Sequence, residues 1–370
     1  MKPCINGKTI YLENFMATKP KLSKGPTIQD VALRAGVSIS AVSHVLNGNT
    51  QRVGPEKRAR VLEVVRELNY RPNAIARSMV RRSTRTIGLV ITSVSNALFS
   101  PVTIGVEEIL RGHGYQLVLA NVETSDDEMA AVEALRAQQV DGFIFMSNTI
   151  NTFKAHMLQL KQEQIPFVTI NRNLDDAEFH RVHFDDVGAG RIATQHLLSQ
   201  GHTRFGTLAG PLDAKPVWQS AHDRHRGWQQ ALEQHQIAIE PDWVIRSPYD
   251  FEGGYQATKQ LLATIQTAYD RPSALFIAND AMAIGALKAL YEAGLRVPQD
   301  IAVVCVGDPP YAAYTIPALT TVTLPVIEAG RVAARLLMDC LADTPPGYAQ
   351  GITLLGDLKI RESCGAALRT

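Results

Sequence analysis

Long apolar runs are missing from this chain: no stretch approaches the roughly 18 residues that a membrane-spanning helix needs. The N-terminus also lacks an apolar core followed by a small-residue cleavage site, which speaks against export and for a cytoplasmic protein. Only four cysteines occur, Cys4, Cys305, Cys340 and Cys364, scattered without metal or redox spacing. That pattern excludes a disulfide framework and fits a reducing compartment. No Ser/His/Asp triad motif, phosphate-binding loop or dinucleotide fingerprint is found, so the chain reads as a non-enzyme without a cofactor. His180, His183, His222 and His225 fall at i,i+3 spacings, but no carboxylate or cysteine cluster completes a ligand set. They are expected to be solvated, and no metal site is expected.

Net charge is nearly absent too, at +1, but it is unevenly placed. Residues 1–85 hold sixteen Lys and Arg against five Asp and Glu, and the remainder carries the opposite excess. A neutral chain with its positive charge gathered in its first quarter is suited to touch a polyanion at that end. At 370 residues with 45% apolar content, two or three domains with substantial cores are expected.

Within the basic quarter, Ile28-Gln29-Asp30-Val31-Ala32 opens an amphipathic helix that ends at Ala35-Gly36-Val37. Ser38 is a good N-cap for a second short helix through Leu46, which Asn47-Gly48 stops. Two short helices joined by a Gly turn are the helix-turn-helix layout, whose second helix enters the major groove. A third helix is predicted from Pro55 to Leu68, with Val61, Leu62, Val65 and Leu68 inward. Thr27, Ser38 and Ser43 are candidate phosphate contacts, because short hydroxyls near helix N-termini can bond phosphate oxygens. Ile39, Ser40 and His44 project from the second helix as candidate base readers, with Asn47 at its end. Asn73 to Met79 reads as a hinge helix too short to be stable alone in water, followed by the basic linker Arg81-Arg82-Ser83-Thr84-Arg85.

Beyond the linker, apolar strand-like runs such as Ile87–Ile91, Gly142–Met146, Phe205–Ala209, Ala274–Ala278 and Ile301–Val306 alternate with amphipathic helices. Runs buried on both faces and separated by helices describe parallel sheets in α/β layers, and their number asks for two lobes.

In this order of parts the chain resembles the lactose/galactose repressor (LacI/GalR) family. The resemblance rests on Asp30-Val31-Ala32, Ala35-Gly36-Val37-Ser38, Val45-Leu46-Asn47-Gly48 and Tyr70-Arg71-Pro72-Asn73-Ala74-Ile75-Ala76-Arg77-Ser78. In the lobes it rests on Ser95-Asn96, Gly190, His196-Leu197-Leu198, Gly201-His202, Ala278-Asn279-Asp280 and Ile316–Val322. It implies an all-α helix-turn-helix head plus a two-lobed α/β core related to periplasmic sugar-binding proteins. The boundaries expected are a flexible basic arm at 1–26, the head at 27–72 and the hinge and linker at 73–85. The effector-binding and dimerisation core is expected at 86–370, with lobe 1 about 86–186 and 326–352 and lobe 2 about 187–325 and 353–370. The function implied is that of a homodimeric, ligand-controlled repressor of carbohydrate or sugar-acid genes, binding a near-palindromic DNA operator. An activator of the same family, or a solute receptor without DNA specificity, are the alternatives. No Leu heptad tail follows the last strand, so a dimer is expected.

By the same resemblance the hinge pair enters the minor groove, with Asn73 and Arg77 beside it and Met79 where the family usually places a wedging Leu. Family members commonly have Thr at the position of Ala41 and Arg at that of His44, so the operator preference is expected to differ. In the cleft, Arg224 matches an effector-holding Arg, Asn279 a polar ligand contact, Tyr249 an aromatic platform, and Leu98 and Phe99 the cleft wall. Asn171, Arg172 and Asp308 are further candidates. Asp280 is expected to cap a helix, and Trp218 and Trp228 to be core residues. Where family members that bind neutral sugars often carry Asp, this chain has Gly307. Keeping Arg224 and Arg172 without that carboxylate points to an anionic effector, a sugar acid or phosphosugar, ahead of a neutral sugar. Met16-Ala17-Thr18-Lys19 looks like an alternative start. N-terminal sequencing of the native protein is expected to begin at Met16, and a first residue of Met1 refutes that expectation.

Overall fold

Thr27 starts the first ordered element. Its hydroxyl accepts the Asp30 amide and its own amide donates to the Asp30 carboxylate at 2.7 Å, closing a capping box on α1 (Ile28–Ala35). Gly36 takes the left-handed φ of +65° that ends this helix. Ser38 caps α2 (Ile39–Leu46), and Pro55 opens α3 (Pro55–Glu67), where its missing N–H costs nothing. Val31, Val42, Val61 and Val64 are fully buried between these helices. Val64, rather than Leu62, shares the centre with Val61, because i,i+3 neighbours face the same way; Leu62, Val65 and Leu68 flank it, partly buried.

The computed structural model describes residues 25–48, 50–71, 83–92, 98–146, 155–172, 179–214, 218–265, 267, 270–342 and 347–366. Most of the basic arm, the hinge candidates Asn73, Arg77 and Met79, Arg81, Arg82 and Ser95-Asn96 lie outside the described residues. The chain divides into two compact units, residues 1–82 and 83–370.

The second unit begins with β1 (Thr86–Thr92), α4 (Phe99–Gly112), β2 (Gln116–Val122), α5 (Ser125–Ala137), β3 (Gly142–Met146), α6 (Ala155–Gln162), β4 (Phe167–Ile170) and β5 (His180–Phe184). The chain then crosses to a second lobe for α7 (Asp186–Ser199), β6 (Phe205–Gly210), α8 (Gln219–Gln234), β7 (Val244–Arg246) and α9 (Phe251–Ala263). The same lobe continues through β8 (Ala274–Ile277), α10 (Asp280–Glu292), β9 (Ala302–Val306) and β10 (Thr320–Thr323). It returns for α11 (Val326–Cys340) and β11 (Gly351–Leu354), and crosses again for β12 (Asp357–Lys359). The sheets run β11-β5-β4-β3-β1-β2 and β12-β10-β9-β8-β6-β7, parallel except where β12 meets β10. Their central strands are buried on both faces, as β3 and β9 are throughout, which explains the unbroken apolar runs.

The lobe boundaries follow from packing. Helix α7 lies against β8, β9 and β10, and α11 against β3, β4 and β5. Strand β11 pairs with β5 through Leu354 and Phe184, so the third crossing falls after Leu354, two residues later than the expected 352. The crossings are tied to one another: the Asp185 amide donates to the Leu354 carbonyl (2.9 Å) and the Asp357 amide to the Thr323 hydroxyl (3.1 Å).

Helices α7 and α8 touch backbone to backbone. A Cβ on Gly190 would lie 2.1 Å from the Arg224 carbonyl oxygen, and one on Gly227 2.0 Å from that of Val187. This approach sets the depth of Arg224 in the lobe. Gly190→Ala is expected to push the helices apart and destabilise the protein by about 1–3 kcal/mol, the usual cost of overpacking; urea unfolding of the variant measures it.

Candidate nucleic-acid interface and effector cleft

The head presents its sequence-predicted residues on and around α2. Ile39, 46% exposed, and Ser40 stand on the open side of the first turn, opposite the buried Val42 and Val45. The Ser38 hydroxyl accepts the Ala41 amide (3.2 Å) and lies 3.0 Å from the Ser40 hydroxyl. Ser43 and His44 are half-buried. The Asn47 amide donates to the Ser43 carbonyl (2.8 Å) and hydroxyl (3.2 Å), closing the C-terminal end of α2. Thr27 is engaged in the capping box, where its amide and hydroxyl hold the Asp30 carboxyl below its ordinary range. Sequence reasoning passed over Arg52 and Arg58, which line a shallow depression with Gln51, Gly54 and Pro55.

In the second lobe the cleft is built at the carboxyl ends of β6 to β9, the usual ligand edge of an open α/β sheet. Arg224, on α8 and 6% exposed, donates from Nε to Asp186 Oδ1 (2.7 Å) and from Nη1 to the Ala278 carbonyl (2.8 Å). Burial pushes the Asp186 carboxyl up, and the guanidinium offsets this only in part. The Arg224 guanidinium also lies 5.9 Å from the centroid of the Tyr249 ring, which meets Trp218 edge-on at 5.6 Å. A Cβ on Gly210 would sit 2.2 Å from this ring, so only glycine leaves it room. The Tyr249 hydroxyl is buried against the Ser220 hydroxyl and the Arg224 guanidinium, and burial pushes its pKa up to about 12. Ser220, one turn before Arg224, is 3% exposed.

Asn279 caps α10, accepting the Met282 amide (2.9 Å), and its amide donates to the Tyr249 carbonyl at 3.4 Å. The cap is therefore Asn279 and not Asp280 as expected, because Asn279 has the extended backbone that an N-cap requires. Asp280 instead accepts the Tyr311 hydroxyl on Oδ2 at 3.1 Å, and burial pushes its carboxyl up.

Several expectations are corrected. Asp308 is occupied: Oδ1 accepts from Thr321 and Arg361 (2.9 and 2.7 Å) and Oδ2 from Lys359 (2.7 Å), stitching the end of β9 to β10 and to β12 with the segment after it. Phe99 is 2% exposed and belongs to the lobe 1 core, since its place in the first turn of α4 turns it inward; Leu98 before it is half-buried. Arg172 is 1% exposed, and Nη1 donates to Glu128 Oε1 at 2.8 Å, while His156 Nε2 lies 2.6 Å from the same oxygen. Burial pushes the Glu128 carboxyl up, but hydrogen bonds from His156 and Arg172 outweigh it and hold the carboxyl below its ordinary value. Asn171, half-buried with φ +51°, donates its backbone amide to the Val182 carbonyl. Arg224 and Arg172 thus each come with a buried carboxylate. Asp186 and Glu128 were not legible in the sequence, because carboxylates in a helix's first turn read as dipole partners, nor was Ser220, an isolated serine within a helix.

The four histidines are half-buried. His225 stacks on Trp228 at 5.2 Å, and burial pulls its pKa down to about 4. Its folded-state pKa is depressed below the unfolded value of 6.5, so the unfolded chain takes up this proton first as pH falls. Its contribution to stability is complete above 6.5 and is lost between 6.5 and about 4. His225→Gln is expected to flatten the fall of the urea midpoint across that window, a change that denaturation at stepped pH detects.

Comparison with known proteins gives matches on both units. Residues 27–73 match the family described as "Bacterial regulatory proteins, lacI family", and residues 194–364 the "Periplasmic binding protein-like domain". The Ribose operon repressor of Escherichia coli (strain K12) is 36% identical over 313 residues, covering 84% of this chain and 92% of that protein. The HTH-type transcriptional repressor PurR of Haemophilus influenzae (strain PittEE) is 33% identical over 349 residues, covering 92% and 99%. Among solved structures, the lac repressor dimer bound to operator and the anti-inducer ONPF superposes with a TM-score of 0.82 at 28% identity, covering 92% of this chain and 99% of that one. A LacI family transcriptional regulator from Enterococcus faecium with bound ribose gives 0.66 at 28% identity, covering 75% and 98%.

Proposed function

The chain belongs to the LacI family of bacterial regulatory proteins, and from that premise we propose that it is a homodimeric operator-binding repressor whose hold on DNA is set by a neutral sugar in the cleft. The observation that carries the effector class is the pairing of Arg224 with Asp186 and of Arg172 with Glu128. An acid or phosphate would meet guanidiniums already neutralised, and carboxylates that repel it. Sugar hydroxyls, which both donate and accept, suit a wall of paired charges, an amide and hydroxyls. The similarity to ribose repressors, and to a regulator with bound ribose, supports a pentose or a close relative.

On DNA, α2 lies in the major groove, with Ile39, Ser40 and His44 reading bases and Asn47 closing the helix end. Thr27, Ser38 and Ser43 contact phosphates, joined by Arg52 and Arg58. His offers one hydrogen bond where Arg grips guanine with two, so His44 relaxes or shifts the base read by α2. Asn73, Arg77 and Met79 serve as the minor-groove hinge. Two such heads require a near-palindromic site. The protein acts in the cytoplasm, on the nucleoid, and no helix among the described residues is long and apolar enough to cross a membrane.

Selection of a site from random duplexes, followed by titration at fixed salt with and without D-ribose, tests this reading. A short near-palindrome is expected, with affinity changed about five- to 150-fold by the sugar, the usual range of allosteric coupling. Arg224→Met is expected to abolish the sugar response, and operator binding without sugar checks that the variant, which leaves Asp186 buried without its counter-charge, still folds. Binding that rises with lower salt but ignores sequence refutes the repressor reading.

A further inference from the structure

Gly307 and Asp280 share one place in the cleft. Gly307 follows β9 at the ligand edge with φ +102°, and a Cβ built on it would lie 2.8 Å from Asp280 Oδ1 and 3.1 Å from its Cγ. The Asp280 carboxylate therefore occupies the space that any side chain at position 307 would enter. Asn279 is the N-cap of α10, and the Asp280 carboxylate draws on the backbone amides of Asp280 and Ala281 in the first turn. The helix dipole favours an acid in the first turn, but it explains neither the Tyr311 hydroxyl held over Oδ2 nor the open backbone beside Oδ1. Across the cleft edge stand Arg224, already matched by Asp186, and the buried hydroxyls of Ser220 and Tyr249.

We propose that Asp280 is the hydroxyl-reading carboxylate of the cleft, held by Tyr311 and admitted by the missing side chain at Gly307, and that it selects a neutral polyol over the corresponding acid. The inference rests on the reading of the cleft as a neutral-sugar site. Asp280 Oδ1 accepts one or two adjacent sugar hydroxyls, which replace the water that a half-buried carboxylate otherwise keeps. Ser220 and Tyr249 hydroxyls donate to or accept from other sugar oxygens. A carboxylate or phosphate on the ligand is turned away by the like charge of Asp280, whereas the neutral sugar is not.

Calorimetric titration of the full-length protein with D-ribose, D-xylose, D-glucose, D-galactose, D-ribonate and D-ribose 5-phosphate decides the matter, using wild type, Asp280→Asn, Tyr311→Phe and Arg224→Met. Asp280→Asn is expected to weaken the preferred neutral sugar at least tenfold and to improve D-ribonate relative to it. Loss of fold cannot produce that second change. Tyr311→Phe, which keeps the carboxylate but frees its orientation, is expected to weaken the neutral sugar by a smaller factor without admitting the acid. If Asp280→Asn and Tyr311→Phe bind the sugar like wild type while Arg224→Met does not, the cleft reading stands and the role of Asp280 is overturned. A wild type that takes ribonate or ribose 5-phosphate, or that binds none of the neutral sugars, overturns the neutral-sugar reading itself, and the role of Asp280 with it.

Discussion

The ion pair between Arg224 and Asp186 is the contact on which the effector cleft depends. Asp186 opens α7 at the first crossing between lobes, and Arg224 reaches it from α8 while also holding the carbonyl at the end of β8. Opening such a pair would leave a buried charge without compensation, a cost of several kcal/mol, so the crossing and the ligand edge move together. The neighbouring residue, Asp185, is bonded to Leu354 at the third crossing. A ligand that touches Arg224 therefore acts one residue away from the segments about which the lobes turn, which is how a small molecule biases two global arrangements.

Lobe 1 repeats the device with different elements. Arg172 follows β4, Glu128 lies in the first turn of α5, and His156 in that of α6. In each lobe an arginine supplies directed donors while its carboxylate cancels its charge. On the reading proposed above, the cleft recognises oxygens by hydrogen-bond geometry and not by net charge, a chemistry suited to polyols. Asp308, which the sequence offered as a ligand, serves instead to join the strand ends behind the cleft.

Much of this molecule is legible before folding. The Thr27–Asp30 capping box, Gly36, Ser38 and Pro55 are local signals, whose physics involves only residues within one helical turn of one another. The unbroken apolar runs announce strands covered on both faces, and the alternation with helices announces the parallel sheets. Arg224, Tyr249 and Asn279 were offered as cleft candidates because they sit at recognisable places beside Gly227-Trp228, after β7 and at the start of α10.

Other features were not legible. Nothing in the order of residues distinguishes Asn279 from Asp280 as the cap; the extended backbone at position 279 decides it. Phe99 is one residue from Leu98, yet the turn of α4 places it in the core. The sequence by itself determined the helix-turn-helix head, the two α/β lobes and the basic end that meets DNA, because hydrophobic period, caps and charge density act locally. Only the tertiary structure decided that Arg224 and Arg172 are neutralised, and that Asp280 fills the space beside Gly307. Those partners are 38, 44 and 27 residues apart, and electrostatic pairing across such distances exists only once separate strands and helices are packed into one lobe.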